Sequence, residues 1–213
     1  MKLTVLYDNE TLREDLKANW GFSCLIEANN SVILFDAGFK GSILLYNMEK
    51  LNVNPKSIEK IVISHLHLDH VGGLPEILRL KPNVKIYLPS SSRFNLEGFE
   101  VFKVRELTKI SENVFSTGEI SGIEQSVILE TGKGFVLVTG CSHPGLEKIL
   151  NSVSKLGKIY GVIGGFHNFS KLDVLEGIEV VCPCHCTANK RVIMKTYPKS
   201  YVKCGVGRIF EIP

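Results

Sequence analysis

One feature constrains the fold and chemistry of this chain more than any other. It is a dense group of residues of the types that bind metals, which directly follows a short apolar segment. Residues 61–63 are apolar and β-branched, which predicts a buried strand. His65, His67, Asp69 and His70 follow at once. In an extended chain, side chains two residues apart point the same way, so His65 and His67 can both reach one ion. Asp69 and His70 lie where the chain turns toward the next helix and can face a second ion. Imidazole and carboxylate together suit zinc, manganese or iron(II).

The residues around this group support the same interpretation. Gly72 and Gly73 remove Cβ crowding, so we expect a sharp backbone turn there. Leu66 and Leu68 fall on the opposite face and are expected to pack inward, which would hold the ligand side chains still. Helix capping is the alternative, but a cap requires one such residue rather than four.

The order of apolar segments predicts an α/β fold of four layers, in which two mixed sheets are flanked by helices. Asn29-Asn30 and residues 131–134 predict hairpin turns, and polar residues 90–95 predict a surface loop. A single domain over residues 1–213 is expected. The predicted strands are residues 3–7, 22–27, 32–35, 61–63, 84–88, 126–130, 135–138, 159–163, 178–181 and 208–212, and the predicted helices are residues 42–51, 74–80, 145–156 and 188–196.

Composition and charge exclude several classes of protein. Apolar residues make up 44% and charged residues 22% of the 213 residues, which is typical of a globular chain with a real core. The net charge of +3 is too small to indicate a dedicated nucleic-acid surface. No apolar stretch approaches the ~18–20 residues that span a bilayer, so no membrane association is expected. Residues 1–7 predict a strand rather than a signal peptide, and we expect a cytoplasmic protein whose six cysteines are reduced or bind metal.

The six histidines all follow strand-like segments, where an α/β protein presents side chains to a crevice. Besides the first three, they are His143, His167 and His185. Residues 180–210 hold six basic and no acidic residues. This segment either steers an anionic substrate, such as a phosphate ester, or forms an ordinary solvated helix face.

The spacing His65-x-His67-x-Asp69-His70 resembles the metal-binding signature of the metallo-β-lactamase-fold superfamily. Residues 32–38, with Asp36 near their end, resemble the strand end that precedes this signature. The resemblance implies an αβ/βα sandwich with a dinuclear site at one edge. Within the superfamily, the chain is similar to the branch of dihydropterin–(ribofuranosyl)aminobenzene phosphate synthase-like proteins. The matching segments are residues 7–9, 20–23, 139–145, 164–167 and 183–187.

The resemblance also implies a ligand set, with one departure. Cys141 stands where a bridging aspartate is expected. Either Cys141 is a ligand, or His143 completes the first site and no protein carboxylate bridges; we favour His143. The expected ligands are therefore His65, His67 and His143 for one ion, and Asp69, His70 and His185 for the other.

Other residues near these positions have two or more interpretations. Asp36 is expected to accept an N–H from a ligand imidazole and fix its tautomer, with an Asx turn as the alternative. His167 is a candidate general acid, a phosphate contact or a structural histidine. Glu124 either faces the site or is a solvated surface residue. The thiols of Cys182, Cys184 and Cys186 offer a separate zinc site as an alternative role for the segment around His185.

The expected activity is that of a metal-dependent hydrolase. Two divalent ions, zinc first and manganese or iron as alternatives, would activate a bridging hydroxide against an anionic small molecule. Asp69 and His167 are the expected catalytic side chains. One alternative is a synthase that condenses a dihydropterin diphosphate with a ribofuranosylaminobenzene phosphate. Another is a non-hydrolytic metal-binding or redox module. A nuclease is disfavoured because no long inserted binding region is present.

Overall fold

The computed structural model of the protein describes residues 1–94 and 96–213, in which the chain forms thirteen strands and five α-helices. The strands are β1 Lys2–Tyr7, β2 Ser23–Ala28, β3 Ser31–Phe35, β4 Lys60–Val62, β5 Lys85–Pro89, β6 Glu100–Val104, β7 Thr108–Ser111, β8 Val114–Ser116, β9 Val127–Thr131, β10 Gly134–Thr139, β11 Ile159–Gly165, β12 Val180–Cys184 and β13 Ile209–Glu211. The helices are α1 Gly41–Lys50, α2 Leu68–Val71, α3 Leu74–Leu80, α4 Leu146–Ser154 and α5 Lys190–Thr196.

The strands form two mixed sheets that pack face to face. One sheet has the order β13-β1-β2-β3-β4-β5-β6, and the other has the order β12-β11-β10-β9-β8-β7. Alternate side chains along each strand serve different layers. On β3, Ile33 and Phe35 pack between the sheets, while Leu34 packs toward α1 and α3. On β10, Val138 packs between the sheets and Leu137 packs toward α4. The result is the predicted four-layer α/β sandwich.

Strand direction places the functional residues at one edge. The neighbours β3, β4, β5 and β6 are parallel, and so are β10, β11 and β12. Their carboxyl ends therefore meet along one side of the sandwich, as is usual for sites in α/β proteins. Every predicted ligand lies just beyond one of these ends. Within the described ranges, no helix is long and apolar enough to cross a bilayer.

The predicted elements agree with the structure where apolar patterning is strong. All ten predicted strands and all four predicted helices are present, and α3 begins and ends at the predicted residues. Four elements were not predicted: the short helix α2 and the strands β6, β7 and β8. β6 and β7 are mostly half-buried or exposed and lack the apolar run that marks a buried strand. Asn95, the last residue of the predicted surface loop, lies outside the described residues.

Candidate metal centre

Three imidazoles form the first donor group, defined as His65, His67 and His143. Each offers a ring nitrogen, and these atoms lie within 4.8 Å of one another. His65 Nε2 is 3.1 Å from His67 Nδ1. The His143 ring lies across both, with its centroid 4.7 Å from that of His65 and 4.8 Å from that of His67. His67 is exposed, so this group opens to solvent.

Four side chains form the second donor group, defined as Asp69, His70, Cys141 and His185. Their donor atoms also lie within 4.8 Å of one another, and all four residues are buried. His185 Nε2 is 2.9 Å from Asp69 Oδ2, and His70 Nε2 is 3.1 Å from Cys141 Sγ. The rings of His65 and His70 are 4.2 Å apart, so the two groups are direct neighbours.

The position of Cys141 bears on an alternative that the sequence leaves open. The sequence offers either Cys141 or His143 as the donor from the end of β10. In the structure the two side chains belong to different groups, since His143 joins the imidazoles and Cys141 joins Asp69 and His70. Both residues are therefore available as donors at once.

Asp36 links the two donor groups through hydrogen bonds. It lies at the end of β3 and is fully buried. His70 Nδ1 is 2.6 Å from Asp36 Oδ2, while the backbone N–H and the hydroxyl of Ser64 donate to the same carboxylate at 2.7 Å each. The Ser64 hydroxyl is also 2.9 Å from His65 Nδ1. With the Nδ1 protons held in this way, the Nε2 atoms of His65 and His70 face the donor groups.

Asp8 and Asn9 hold His185, a role that sequence reasoning did not assign. Asp8 Oδ2 accepts the backbone N–H of His185 at 2.7 Å. Asn9 Oδ1 lies 2.9 Å from His185 Nδ1, and Asn9 Nδ2 donates to the His185 carbonyl at 3.3 Å. The resemblance singled out residues 7–9 as a matching segment. That match was the only signal in the sequence for this role.

Glu124 is buried and organises the loop that carries Cys141 and His143, so the alternative of a solvated surface residue is wrong. One of its oxygens accepts the backbone N–H groups of Gly140, Cys141 and Ser142 at 2.9–3.1 Å. The other accepts the N–H of His143 at 2.9 Å. The carboxylate thus acts on the donors through the backbone, without facing them.

The electrostatics of the two groups differ. Burial, and then the nearby imidazoles of His70 and His143, lower the pKa of His65 far below its ordinary value. Burial raises the pKa of Asp69, but hydrogen bonds from His185 and His70 outweigh it and leave that pKa far below its ordinary value. Burial lowers the pKa of His70, but Asp36 outweighs it and raises the pKa to about 10. His65 is thus a neutral lone-pair donor and Asp69 is an anion.

The donor atoms fit divalent cations. His143 Nε2 is buried, and within the described part of the chain it has no hydrogen-bond partner. The 3.1 Å between His65 Nε2 and His67 Nδ1 is near the edge of a tetrahedron around zinc, about 3.3 Å for zinc–nitrogen bonds of about 2.0–2.1 Å. An ion bound by these nitrogens would satisfy the buried nitrogen of His143.

His167 lies beside the donor groups and belongs to neither of them. Its ring centroid is 4.9 Å from that of His143, and the side chain is half-buried. The backbone of His167 is left-handed, as is that of Asp36, Ser142 and His185, with φ between 40° and 61°. Such non-glycine residues cost of order 1–3 kcal/mol each, and four of them lie at this one edge.

One of the local expectations around the signature needs correction. Leu68 is 63% exposed and does not pack inward, because α2 begins there and ends the strand-like alternation. The expectation for Gly72 and Gly73 is confirmed, since both lie in the turn between α2 and α3, with φ of −61° and −86°. Crowding explains the glycines, because a Cβ at either position would lie 2.2 Å from a carbonyl oxygen of the segment 37–39.

The thiol grouping that the sequence offers as an alternative around His185 differs from the one in the structure. Cys182 and Cys184 group with Cys204, and Cys186 is not in that group. The Cys186 thiol lies instead near Cys141, which has its pKa raised by this thiol and by burial. Alternation along β12 explains part of this result, because Cys182 and Cys184 share the face between the sheets.

Two cavities open on either side of the imidazoles. One, of about 290 Å³, is lined by His143, His167 and Lys171 among others. The other, of about 460 Å³, is lined by His65, His67, Arg93 and others. A substrate that reaches the donor groups can therefore extend to a cationic side chain in either direction.

Comparison with known proteins places the chain in a family. The model of the metallo-beta-lactamase superfamily matches residues 21–185. The chain belongs to this superfamily. Divalent metal binding is implied by this fold. The solved structure of Tm1679, a metal-dependent hydrolase of the beta-lactamase superfamily, superimposes with a TM-score of 0.82 at 26% identity and covers 100% of this chain and 99% of that one.

Two proteins of Methanocaldococcus jannaschii are also similar to this superfamily member. The 7,8-dihydropterin-6-methyl-4-(beta-D-ribofuranosyl)-aminobenzene-5'-phosphate synthase is 28% identical over 90% of this chain and 89% of that protein. An uncharacterised protein is 26% identical over 99% of this chain and 100% of that protein. The predicted superfamily and the predicted resemblance to the synthase branch are confirmed.

Proposed function

We propose that this chain is a metal-dependent hydrolase that uses a dinuclear site on a phosphate-containing small molecule. The observation that carries the proposal is the convergence of two donor groups whose His65 and His70 rings are 4.2 Å apart. This proximity suits two ions about 3.5–4 Å apart, the spacing of dinuclear hydrolases. Tm1679, with its similar fold and its name as a metal-dependent hydrolase, supports the same reaction class.

The first donor group would hold one ion and the second donor group the other. When bound, the ions supply Lewis acidity and a water that is nucleophilic at neutral pH. The other residues of the chain hold the ligand imidazoles in their orientations. Asp36 orients His70 directly and His65 through Ser64, while Asn9 orients His185. These contacts hold the donor nitrogens in place before the substrate arrives.

The two cavities supply contacts for an anionic substrate. Arg93 lies in one cavity and Lys171 in the other, each beside the imidazoles. A ring N–H of His167, at the wall of the Lys171 cavity, would donate a proton to the leaving oxygen. The basic segment 180–210 continues from His185 and would raise the local concentration of anions. A cytoplasmic location and the lack of membrane or nucleic-acid partners belong to the same proposal.

The test is a substrate panel with purified protein that has been depleted of metal and reloaded. Zinc, manganese or iron(II) is added, and phosphodiesters, phosphomonoesters, thioesters and lactones are assayed. We expect metal-dependent hydrolysis of a phosphoester. Hydrolysis of none of the four classes with any of the three metals would overturn the proposal. Redox-active iron without hydrolysis would favour a redox module instead.

His167→Gln tests the proton donor within this function. On an alkyl phosphate, whose leaving oxygen needs the proton, kcat should fall by about 10²–10⁴-fold. On the matching nitrophenyl phosphate, which has a good leaving group, kcat should change little, and the metal content should stay the same. Equal losses on both substrates would contradict the role of His167 as proton donor.

A second candidate is the synthase activity, favoured by the 28% identity to the M. jannaschii enzyme over 90% of this chain. In that reaction the donor groups would hold the diphosphate of a dihydropterin diphosphate. The amine nitrogen of the ribofuranosylaminobenzene phosphate would attack the methylene carbon of the pterin, so that a C–N bond forms, diphosphate leaves and the nitrogen loses one proton. Incubation with both substrates decides between the two. A condensed product with release of diphosphate supports the synthase, whereas hydrolysis alone supports the hydrolase.

A further inference from the structure

A cluster of three thiols lies apart from the two donor groups. We define this thiol cluster as Cys182, Cys184 and Cys204, whose sulfur atoms lie within 4.8 Å of one another. The residues are 0%, 0% and 2% exposed, and all three are free thiols. They lie between the two sheets, in the apolar interior. Neither the proposed hydrolysis nor the condensation uses them.

A buried carboxylate lies beside one sulfur of the cluster. Asp8, which is fully buried, has its Oδ2 3.6 Å from the sulfur of Cys204. Its other oxygen, Oδ1, accepts the backbone N–H of Glu10 at 3.0 Å. Asp8 therefore remains fixed beside the sulfur of Cys204, although its oxygens do not lie within 4.8 Å of all three sulfurs.

The spacings match those of a tetrahedral site. For a zinc–sulfur distance of about 2.3 Å, two sulfurs on one zinc ion lie about 3.8 Å apart. The sulfurs of Cys182 and Cys184 are 3.8 Å apart. With a zinc–oxygen distance of about 2.1 Å, the sulfur-to-oxygen edge is about 3.6 Å. The distance from Cys204 to Asp8 is 3.6 Å. Two independent edges thus have the lengths that zinc requires.

We propose that the thiol cluster binds one structural zinc ion, distinct from the two ions of the candidate metal centre, with the Asp8 carboxylate as the adjacent oxygen donor beside Cys204. Soft thiolate donors select zinc over magnesium, calcium or manganese, and the burial of all three cysteines closes the site to solvent. The site is thus structural and not catalytic.

Such an ion would join parts of the chain that are far apart in sequence. Cys182 and Cys184 lie on β12 in one sheet, whereas Asp8 follows β1 in the other. Cys204 lies between two bridges. On one side Tyr201 pairs with Val181 of β12, and on the other Val206 pairs with Thr11, near β1. The zinc ion would therefore fasten the two sheets at one place. Because Asp8 also accepts the N–H of His185, it would fix the second donor group as well.

Two alternative states of the thiol cluster would hold no metal. Buried thiols can act as small apolar groups, and the Cys184 thiol has a weak contact with the Cys182 carbonyl at 3.3 Å. Two of the three thiols could also form a disulfide. Since neither state contains zinc, metal stoichiometry and thiol counting separate all three.

The first experiment removes the candidate metal centre and keeps the thiol cluster. In a triple variant, His65→Ala, Asp69→Ala and Cys141→Ala, each donor group has lost ligands. The variant is purified, reloaded with zinc and dialysed. We expect one zinc ion per chain, with X-ray absorption showing mainly sulfur neighbours at about 2.3 Å. No retained zinc in the folded variant would overturn the proposal.

The second experiment removes one thiol from the full-length protein. Cys204→Ala should contain one zinc ion fewer per chain than the wild type. Cys24→Ala is the matched control, because Cys24 is equally buried in the same apolar cluster but outside the thiol cluster, and it should keep the full zinc content. Equal zinc contents in Cys204→Ala, Cys24→Ala and the wild type would overturn the proposal.

Counting free thiols in the wild-type protein gives a test that does not depend on the folding of any variant. Under denaturing conditions with chelator, the wild type should yield six free thiols, since zinc thiolates remain reduced. Four free thiols would indicate a disulfide and overturn the zinc site. Metal content decides the proposal even if every substrate of the proposed hydrolase fails, so the two failures are distinguishable.

Discussion

The two donor groups at the edge of the sandwich contain different types of ligand side chain. The first donor group has three imidazoles and no carboxylate or thiol, and its His67 is exposed. The second donor group adds a carboxylate and a thiol to two imidazoles, and all four residues are buried. His70 and His185 each have a second partner, Asp36 and Asn9, that fixes the ring. The second donor group should therefore bind a cation more tightly than the first.

The largest effect is expected from Asp69→Asn, which keeps the shape but removes the charge of the second donor group. Activity should fall by more than about 10³-fold, because a carboxylate ligand is lost and the second ion with it. Metal analysis should show one ion fewer per chain than the wild type. An unchanged metal content would show that Asp69 is not a ligand.

A smaller effect is expected from Asp36→Asn. Asp36 fixes His70 directly and His65 through Ser64, so metal affinity should fall by about 10–100-fold at both donor groups. Competition with a coloured chelator measures the loss. Unchanged affinity would reduce Asp36 to a residue of the turn.

Asn9→Ala is the matched comparison for Asp36→Asn. Among the donor residues Asn9 contacts only His185, so the loss should be confined to the second donor group and lie near the lower end, about 10-fold. A loss at the first donor group as well would mean that the two groups are not independent.

The difference between the groups also predicts the order in which ions leave. A dilute chelator should remove one ion per chain first, at a concentration about 10-fold below that needed for the other. In His67→Ala only the second donor group is intact, so this variant should bind one ion. It should keep that ion at the lower chelator concentration. If His67→Ala keeps both ions, His67 is not a ligand.

The smallest effect is a proton release. Because Asp36 raises the pKa of His70 to about 10, His70 carries both ring protons at pH 8 in the metal-free protein. A cation must displace the Nε2 proton, so binding at the second donor group should release a proton and strengthen as pH rises. Calorimetry in buffers of different ionisation enthalpy measures the release. No proton release at pH 8 would contradict the charged state of His70.

Local pattern predicted the framework well. Short β-branched segments gave the positions of ten strands, because a strand buried on both faces must be apolar throughout. The strands β6 and β7 were not predicted because most of their residues are half-buried or exposed, so the continuous apolar pattern is missing. The interpretation of Leu68 failed because extended alternation was carried past the start of α2.

The long-range groupings needed the tertiary structure. Sequence alone left Glu124 between two roles, since nothing local indicates that its carboxylate lies beneath residues 140–143. It also paired Cys184 with Cys186 in the alternative zinc site, although Cys204 is the actual neighbour. Contacts of this kind depend on how the two sheets pack.

The chain by itself determined the superfamily signature, the alternation that makes four layers and the residue types at the strand ends. These features follow from covalent geometry, which fixes where side chains point over two to four residues. Only the tertiary structure decided that Cys141 and His143 serve different donor groups, and that Asp8 and Asn9 hold His185 from the far end of the chain. Those distances are set by the packing of two sheets on one apolar interior, which no short stretch of sequence contains.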